Sequence, residues 1–279
     1  VVCERPVFVT ALPRAGTTLL LNLLVGTGEF ASHTYRDMPF VLCPMLWQRF
    51  ASIFGTESIA RERAHGDGVS VSLDSPEALE EIIWQPFWGG HYEQDRIKPW
   101  KQGKNELFRA FFINHMRKII ALRSPEGSAR YASKNNMNIA RLRALKNLAP
   151  DCVLIVPFRE PLQHASSLLH QHRGFFQMHA SDHFAQRYMS GTGHFDFGEN
   201  LRPINFGNWL NDAQYPDAMT LGCWLEYWVA TYSHVLNNHA ETANLLSFEE
   251  LVSQPKRTLE RIEQTLKLTT PQALTRQAS

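Results

Sequence analysis

The chain has 279 residues, 44% hydrophobic and 20% charged, with 16 Gly and 15 Pro. That balance excludes a disordered, collagenous or disulfide-scaffolded chain, and the length suffices for one large domain to bury its own core. Lys and Arg number 28 and Asp and Glu 27, a formal net charge of +1 that excludes a globally basic nucleic-acid binder.

The charge is unevenly placed. Asp74 to Asp95 holds six acidic residues (Asp74, Glu77, Glu80, Glu81, Glu93 and Asp95) and no cation, whereas Arg109 to Lys146 holds nine cations against Glu126 alone. A solvated face accounts for such runs, and so does a concave basic region for an anionic ligand. Cys3, Cys43, Cys152 and Cys223 lie far apart and read as isolated thiols of a reducing compartment. No apolar run is long enough to cross a bilayer, and no signal peptide is visible in these residues. A cytoplasmic location is expected.

Val7–Leu12 is a short apolar run rich in β-branched residues, as in a strand covered on both faces. A turn with Pro13 and Gly16 follows, then a largely apolar helix over about Thr17–Val25. Ala31–Trp100 is broken by Pro39, Pro44, Pro86 and Pro99, and is expected to cap one end of the sheet with helices and loops. Helical spacing marks Leu107–Leu122 and Asn136–Ala149. Cys152–Pro157 is a second buried strand, with Pro161 at the first position of the next helix. Gly174–Pro216, rich in Gly, Asn, His and aromatics, reads as an excursion or flexible lid. Ala218–Leu236 is a helix, Asn244–Phe248 a strand and Pro255–Leu268 an amphipathic helix. The expected fold is α/β: one three-layer, P-loop-like domain over residues 1–279 with a mostly parallel central sheet, interrupted by insertions around 31–130 and 174–216.

Two segments carry chemistry. Leu12-Pro-Arg-Ala-Gly-Thr-Thr18 joins a buried strand to a buried helix, so backbone N–H groups and the helix dipole favour an anion there. Gly16 permits close approach, Thr17 and Thr18 add hydroxyls, and Arg14 adds a fixed charge. No Lys follows Gly16, so this is not a Walker A loop. Arg159 leaves the carboxyl end of the second buried strand, with Ser167 eight residues on. Ligands of open parallel sheets bind beyond the carboxyl ends of the strands, which puts Arg159 in one crevice with Arg14. Each segment alone is also compatible with an ordinary turn or a salt-bridged Arg. His164, His170 and His172 lack metal-ligand spacing on one helix face, and no metal site is expected.

Together these segments resemble the sulfotransferases that use 3′-phosphoadenosine-5′-phosphosulfate (PAPS). Pro13–Thr18 is similar to that family's 5′-phosphosulfate loop, with Ala15 where Ser is usual. Arg159 and Ser167 match its 3′-phosphate pair. Leu246–Leu251 with Pro255 resembles its late strand, and Tyr131–Asn136 its Lys-containing segment. The late Arg-Lys-Gly segment of the cytosolic branch is absent, which points to the bacterial, carbohydrate- or protein-modifying branch. The resemblance implies PAPS as donor, bound by Arg14, Ala15, Gly16, Thr17, Thr18, Arg159 and Ser167. It also implies a hydroxyl acceptor, a saccharide among the candidates, and no nucleic-acid partner or metal. Arg14 would meet charge on the leaving phosphate and Lys134 the sulfonyl group or acceptor. A general base is expected at Asp37 or His33. The alternatives are a P-loop kinase, which should carry a Walker Lys, and a non-enzymatic module binding anions through Arg109–Lys146.

Overall fold

The structure, a computed structural model, describes residues 1–38, 40–51, 61–62, 70–100, 104–124 and 126–277. The break expected at Pro39 lies outside the described residues. Strand β1 (Val7–Val9) leads through a turn into α1 (Thr17–Gly26) and β2 (Phe30–Ala31). Next come α2 (Pro44–Ala51), an antiparallel pair of β3 (Arg61–Glu62) and β4 (Ser70–Val71), α3 (Glu81–Trp88) and α4 (Glu106–Arg123). Then follow β5 (Arg130–Lys134), α5 (Leu142–Leu148), β6 (Val153–Phe158), α6 (Pro161–Ser181) and α7 (His183–Gly191). The chain continues through α8 (Trp209–Asp212), α9 (Leu221–His239), β7 (Ala243–Ser247), α10 (Phe248–Ser253), α11 (Pro255–Leu266) and α12 (Ala273–Gln277).

Five strands form one parallel sheet in the order β2-β5-β1-β6-β7. Side chains alternate between the faces of a strand, and β1 shows why both faces need cover. Phe8 points into a core built with Phe112 of α4, Leu168 of α6 and Val235 of α9. Val7 and Val9 point the other way, against Leu21 of α1 and Ile262 of α11. The result is a three-layer α/β fold. The chain leaves β1 toward β2 and β5 on one side and leaves β6 toward β7 on the other. The crevice of such a sheet opens where those directions diverge, beyond the carboxyl ends of β1 and β6.

Three expectations are corrected. Asn136–Ala149 is not one helix: a 3₁₀ segment, Asn136–Arg141, precedes α5. The Asn135 side chain accepts from Met137 N–H, and the buried Asn138 and Arg141 turn inward to polar partners. The Gly174–Pro216 region is largely ordered structure packed on the core. Helix α6 runs through Gly174 because Phe175 and His179 continue its buried face, and Phe195, Phe197, Ile204 and Phe206 are all buried. The acidic run is a solvated face only in part, with Asp74 and Asp95 exposed. Glu80 and Glu81 are buried, where Glu80 accepts from Tyr131 and Asn138 and Glu81 accepts from Asn135 and Arg141.

The basic run is correspondingly dispersed. Arg123 binds Asp37, Arg130 donates to the Arg5 and Leu266 carbonyls, Arg141 is buried on Glu81, and Lys146 donates to the Cys152 carbonyl. Arg141 and Glu81 meet at 2.6 Å with side chains 0% and 5% exposed, and the guanidinium also lies 3.9 Å from the Trp84 ring centroid. Removing one partner of such a pair strands the other charge, so Glu81→Ala should lower stability by about 3–5 kcal/mol in urea denaturation. An unchanged midpoint would show that water reaches and solvates Arg141.

Candidate active site

The turn after β1 is shaped by backbone strain and one missing side chain. Arg14 has φ 69° and Gly16 φ 84°, both left-handed. A Cβ on Gly16 would lie 2.7 Å from the Phe248 ring, so the position requires glycine sterically as well as conformationally. Gly16 is the N-cap of α1 and contributes no capping side chain, and the first turn carries no acidic residue. The positive end of the helix therefore faces the crevice without a carboxylate to neutralise it.

Arg159 emerges from the end of β6 and returns to this turn. Its Nη1 donates to the Arg14 carbonyl at 3.2 Å, and its guanidinium lies 4.9 Å from the Phe248 ring centroid. Its Nε is buried and has no hydrogen-bond partner among the described residues. Arg14 Nε in turn donates to Ser167 Oγ of α6 at 3.4 Å. His164, one turn earlier, sits 2.7 Å from the Pro13 carbonyl through Nε2. Burial pushes His164 down to about 4, against the bond to Pro13, and the Arg159 charge adds to the fall. A neutral imidazole therefore donates to the Pro13 carbonyl and pins the loop. Glu160 caps α6 by accepting from Leu162 and Gln163 N–H, and Glu249 accepts from Glu160 N–H at 2.9 Å.

These groups surround a cavity of about 240 Å³. Pro13, Arg14, Gly16, Thr17 and Thr18 form one wall, with Arg159 and Phe248 beside them. Lys134 and Asn136 enter from the end of β5, and Glu77, His194 and Asp196 complete the lining. A larger hollow of about 1340 Å³, lined in part by His91, Trp100 and His239, contains none of the loop residues, so volume alone does not locate the site.

Charge at the far wall is balanced locally. Burial would raise Glu77, but the Lys134 charge and hydrogen bonds from Tyr35 and the Ala78 N–H outweigh it and hold the carboxyl below its usual value. Burial pushes His194 down against the pull of the Glu77 and Asp196 carboxylates. Burial raises Asp196, opposed by its 3.0 Å hydrogen bond from Asn136 and by the Lys134 charge. A cation, an imidazole and two carboxyls thus share the space opposite the loop.

Of the residues expected at the site, the structure brings together Arg14, Gly16, Thr17, Thr18, Lys134 and Arg159 on the cavity and reaches Ser167 through Arg14. Ala15 is fully buried and does not line the cavity. Asp37 and His33 do not line the cavity. The sequence reading missed Glu77, Asn136, His194, Asp196 and Phe248. Residues 194–197 carried a usable signal: His194 and Asp196 alternate with the buried Phe195 and Phe197, the period of an extended segment with one face in the core.

The family model described as the sulfotransferase family matches residues 6–272, and the chain belongs to that family. Among solved structures, sulfotransferase STF1 from Mycobacterium tuberculosis H37Rv superposes with a TM-score of 0.53 at 15% identity, covering 99% of this chain and 71% of that one. Sulfotransferase STF9 from Mycobacterium avium gives 0.52 at 16% identity, covering 99% of this chain and 67% of that one. These likenesses establish a shared fold. No curated protein sequence matches the chain.

Asp37 and His33 belong to a buried cluster behind the cavity. Arg123 Nη2 lies 2.5 Å from Asp37 Oδ1, His33 Nδ1 lies 3.4 Å from Asp37 Oδ2, and His115 Nε2 lies 3.0 Å from His33 Nε2. Asp37 also accepts from Thr34 N–H and closes a capping box. Burial would raise Asp37, but His33, Arg123 and that hydrogen bond bring it to about 2. Their effect on the site is indirect: the His33 carbonyl accepts the Glu77 N–H at 2.9 Å, so the cluster anchors the backbone that presents Glu77.

Burial first, and then His33, holds His115 down to about 2. A folded-state pKa below the unfolded one gives stability that is complete above the unfolded pKa, about 6.5 for His, and is lost as pH falls toward the folded value. His115 should therefore give up to about 1.4 kcal/mol per pH unit of acid lability below about pH 6.5. His164 and His239, each lowered to about 4, add to the slope, and Asp37 adds to it only near the acid limit. Urea midpoints measured from neutral pH into mild acid should fall less steeply in His115→Asn than in the wild type; parallel slopes would contradict the assignment.

Proposed function

We propose that the chain is a PAPS-dependent sulfotransferase, a single domain over residues 1–279, acting on a hydroxyl acceptor. One observation carries the reading: two guanidinium groups from distant turns converge on a helix N-terminus free of carboxylates, and Arg159 keeps a buried Nε without a partner. Charge-assisted donors in a buried crevice favour an anion of more than one charge. The α1 N-terminus, Arg14, Gly16, Thr17 and Thr18 would hold the 5′-phosphosulfate, and Arg159 with Ser167 the 3′-phosphate. The Arg14–Ser167 contact supports adjoining subsites.

In this reading the acceptor oxygen attacks sulfur from the side opposite the bridging oxygen. The new O–S bond forms as the bridging S–O bond breaks, and the electron pair leaves with the phosphate, where Arg14 meets the growing charge. The acceptor proton passes to His194, which burial keeps neutral and whose cationic product Glu77 and Asp196 would stabilise. Lys134 faces the same space and suits the sulfonyl oxygens. The side-chain cations supply the neutralisation that a metal would otherwise provide, and no metal enters the scheme. His194 thus takes the role expected of Asp37 or His33, because those two are committed to the buried cluster. A bacterial cytoplasm remains the proposed compartment. The four cysteines are free thiols, and among the described residues no helix is long and apolar enough to cross a membrane.

Adenosine 3′,5′-bisphosphate (PAP) should raise the melting temperature more than ATP does; equal shifts, or none, would contradict the donor assignment. Arg159→Ala should weaken PAP binding by about 1.5–3 kcal/mol in titration calorimetry, and unchanged affinity would remove Arg159 from the site. A screen of alcohols and saccharides with radiolabelled PAPS identifies acceptors. With any acceptor found, His194→Gln should lower kcat by about 100-fold or more with PAP affinity retained, whereas full turnover would exclude His194 as the base.

A further inference from the structure

Beyond the far wall of the cavity the surface becomes apolar. Two segments build that side. In the first, Tyr35 hydrogen-bonds the Glu77 carboxylate, and Met38 N–H bonds back to the Tyr35 carbonyl at 3.2 Å. The second is α7 with the residues after it, where the His194 N–H bonds to the Met189 carbonyl at 2.9 Å. The two meet where the Tyr188 hydroxyl lies 3.7 Å from Met38 Sδ. Each segment therefore holds a cavity carboxylate or imidazole at one end and apolar side chains where they join.

Those side chains face water. Phe40 is 51% exposed, Tyr188 45% and Phe184 77%. Phe184 and Tyr188 stack with ring centroids 6.1 Å apart, and Phe40 packs on Trp47 at 5.0 Å. Helix α2 extends the cluster with Leu46 and Phe50, both about half exposed. Single exposed apolar residues are ordinary, but aromatics carried on the two segments that also bear on the cavity mark a binding surface. Of the polar groups nearby, Arg36 pairs with Asp74 and Gln186 donates to Asn200. The ring faces and Met38 offer dispersion contact to hydrocarbon.

We propose that the acceptor is an alcohol carried on a hydrocarbon chain, with its hydroxyl at His194 and its chain along Phe40, Tyr188 and Phe184. The place of the hydroxyl rests on the functional reading above; the chemistry of the chain rests on the surface alone. The test is calorimetric titration of PAP-saturated protein with primary alcohols from butanol to octanol, with glucose alongside. Affinity should rise about two- to fourfold per added methylene. In the double variant Phe184→Ser with Tyr188→Ser the gain should flatten, with PAP affinity unchanged because neither side chain lines the cavity. No gain with chain length, an equal gain in the double variant, tighter binding of glucose, or a dimer that buries this face in sedimentation would each overturn the proposal. If wild-type protein fails to bind PAP, the donor reading fails instead. The alcohol series on nucleotide-free protein then decides the apolar surface by the same criteria.

Discussion

The hydrogen bond from Arg159 to the Arg14 carbonyl joins two turns separated by 145 positions. It exists because β1 and β6 are neighbours in the sheet and their chains depart in opposite directions, leaving a crevice over their carboxyl ends. The surroundings fix the shape of that crevice. Gly16 lacks a side chain where Phe248 would collide with one, His164 holds the Pro13 carbonyl, and Glu249 fixes the start of α6. Backbone geometry rather than composition brings Arg14, Lys134 and Arg159 to one cavity in a chain of net charge +1.

The opposite wall is held by a different device. Glu80 and Glu81 lie buried at the start of α3 and gather Asn135, Asn138, Tyr131 and Arg141 around them. These partners flank Lys134 and Asn136, so the buried carboxylates fix how β5 ends at the cavity. Buried ion pairs contribute little net stability compared with an apolar core, and their worth here lies in the geometry they impose. The Asp37, His33, His115 and Arg123 cluster does the same for Glu77 through the His33 carbonyl.

The loop side of the cavity was legible in the sequence and the opposite wall was not. Pro13–Thr18 sits between a β-branched run and a helix, and Arg159 follows an equally clear strand, so local patterns and the parallel-sheet rule bring both to one crevice. Glu77, His194 and Asp196 come from segments whose conformation is set by tertiary packing. Glu77 lay in an acidic run whose burial depends on cations up to 60 positions away. His194 and Asp196 lay in a Gly- and Asn-rich stretch that the buried Phe195, Phe197, Ile204 and Phe206 hold on the core. The short strand Arg130–Lys134 was equally obscure, because Arg130, Ser133 and Lys134 break the apolar run that marks its neighbours. Asp37 and His33 are buried away from the cavity, a depth that no local pattern encodes.

The central claim is that one ligand bearing two separated anionic groups spans Arg14 and Arg159. The direct test is to titrate wild type and Ser167→Ala with PAP and with adenosine 5′-monophosphate, which lacks the 3′-phosphate. Wild type should prefer PAP by about tenfold or more, the worth of a charge-assisted contact, and Ser167→Ala should reduce that preference while leaving the monophosphate affinity unchanged. Equal affinities for the two nucleotides in the wild type, or an equal loss for both in the variant, would contradict the account.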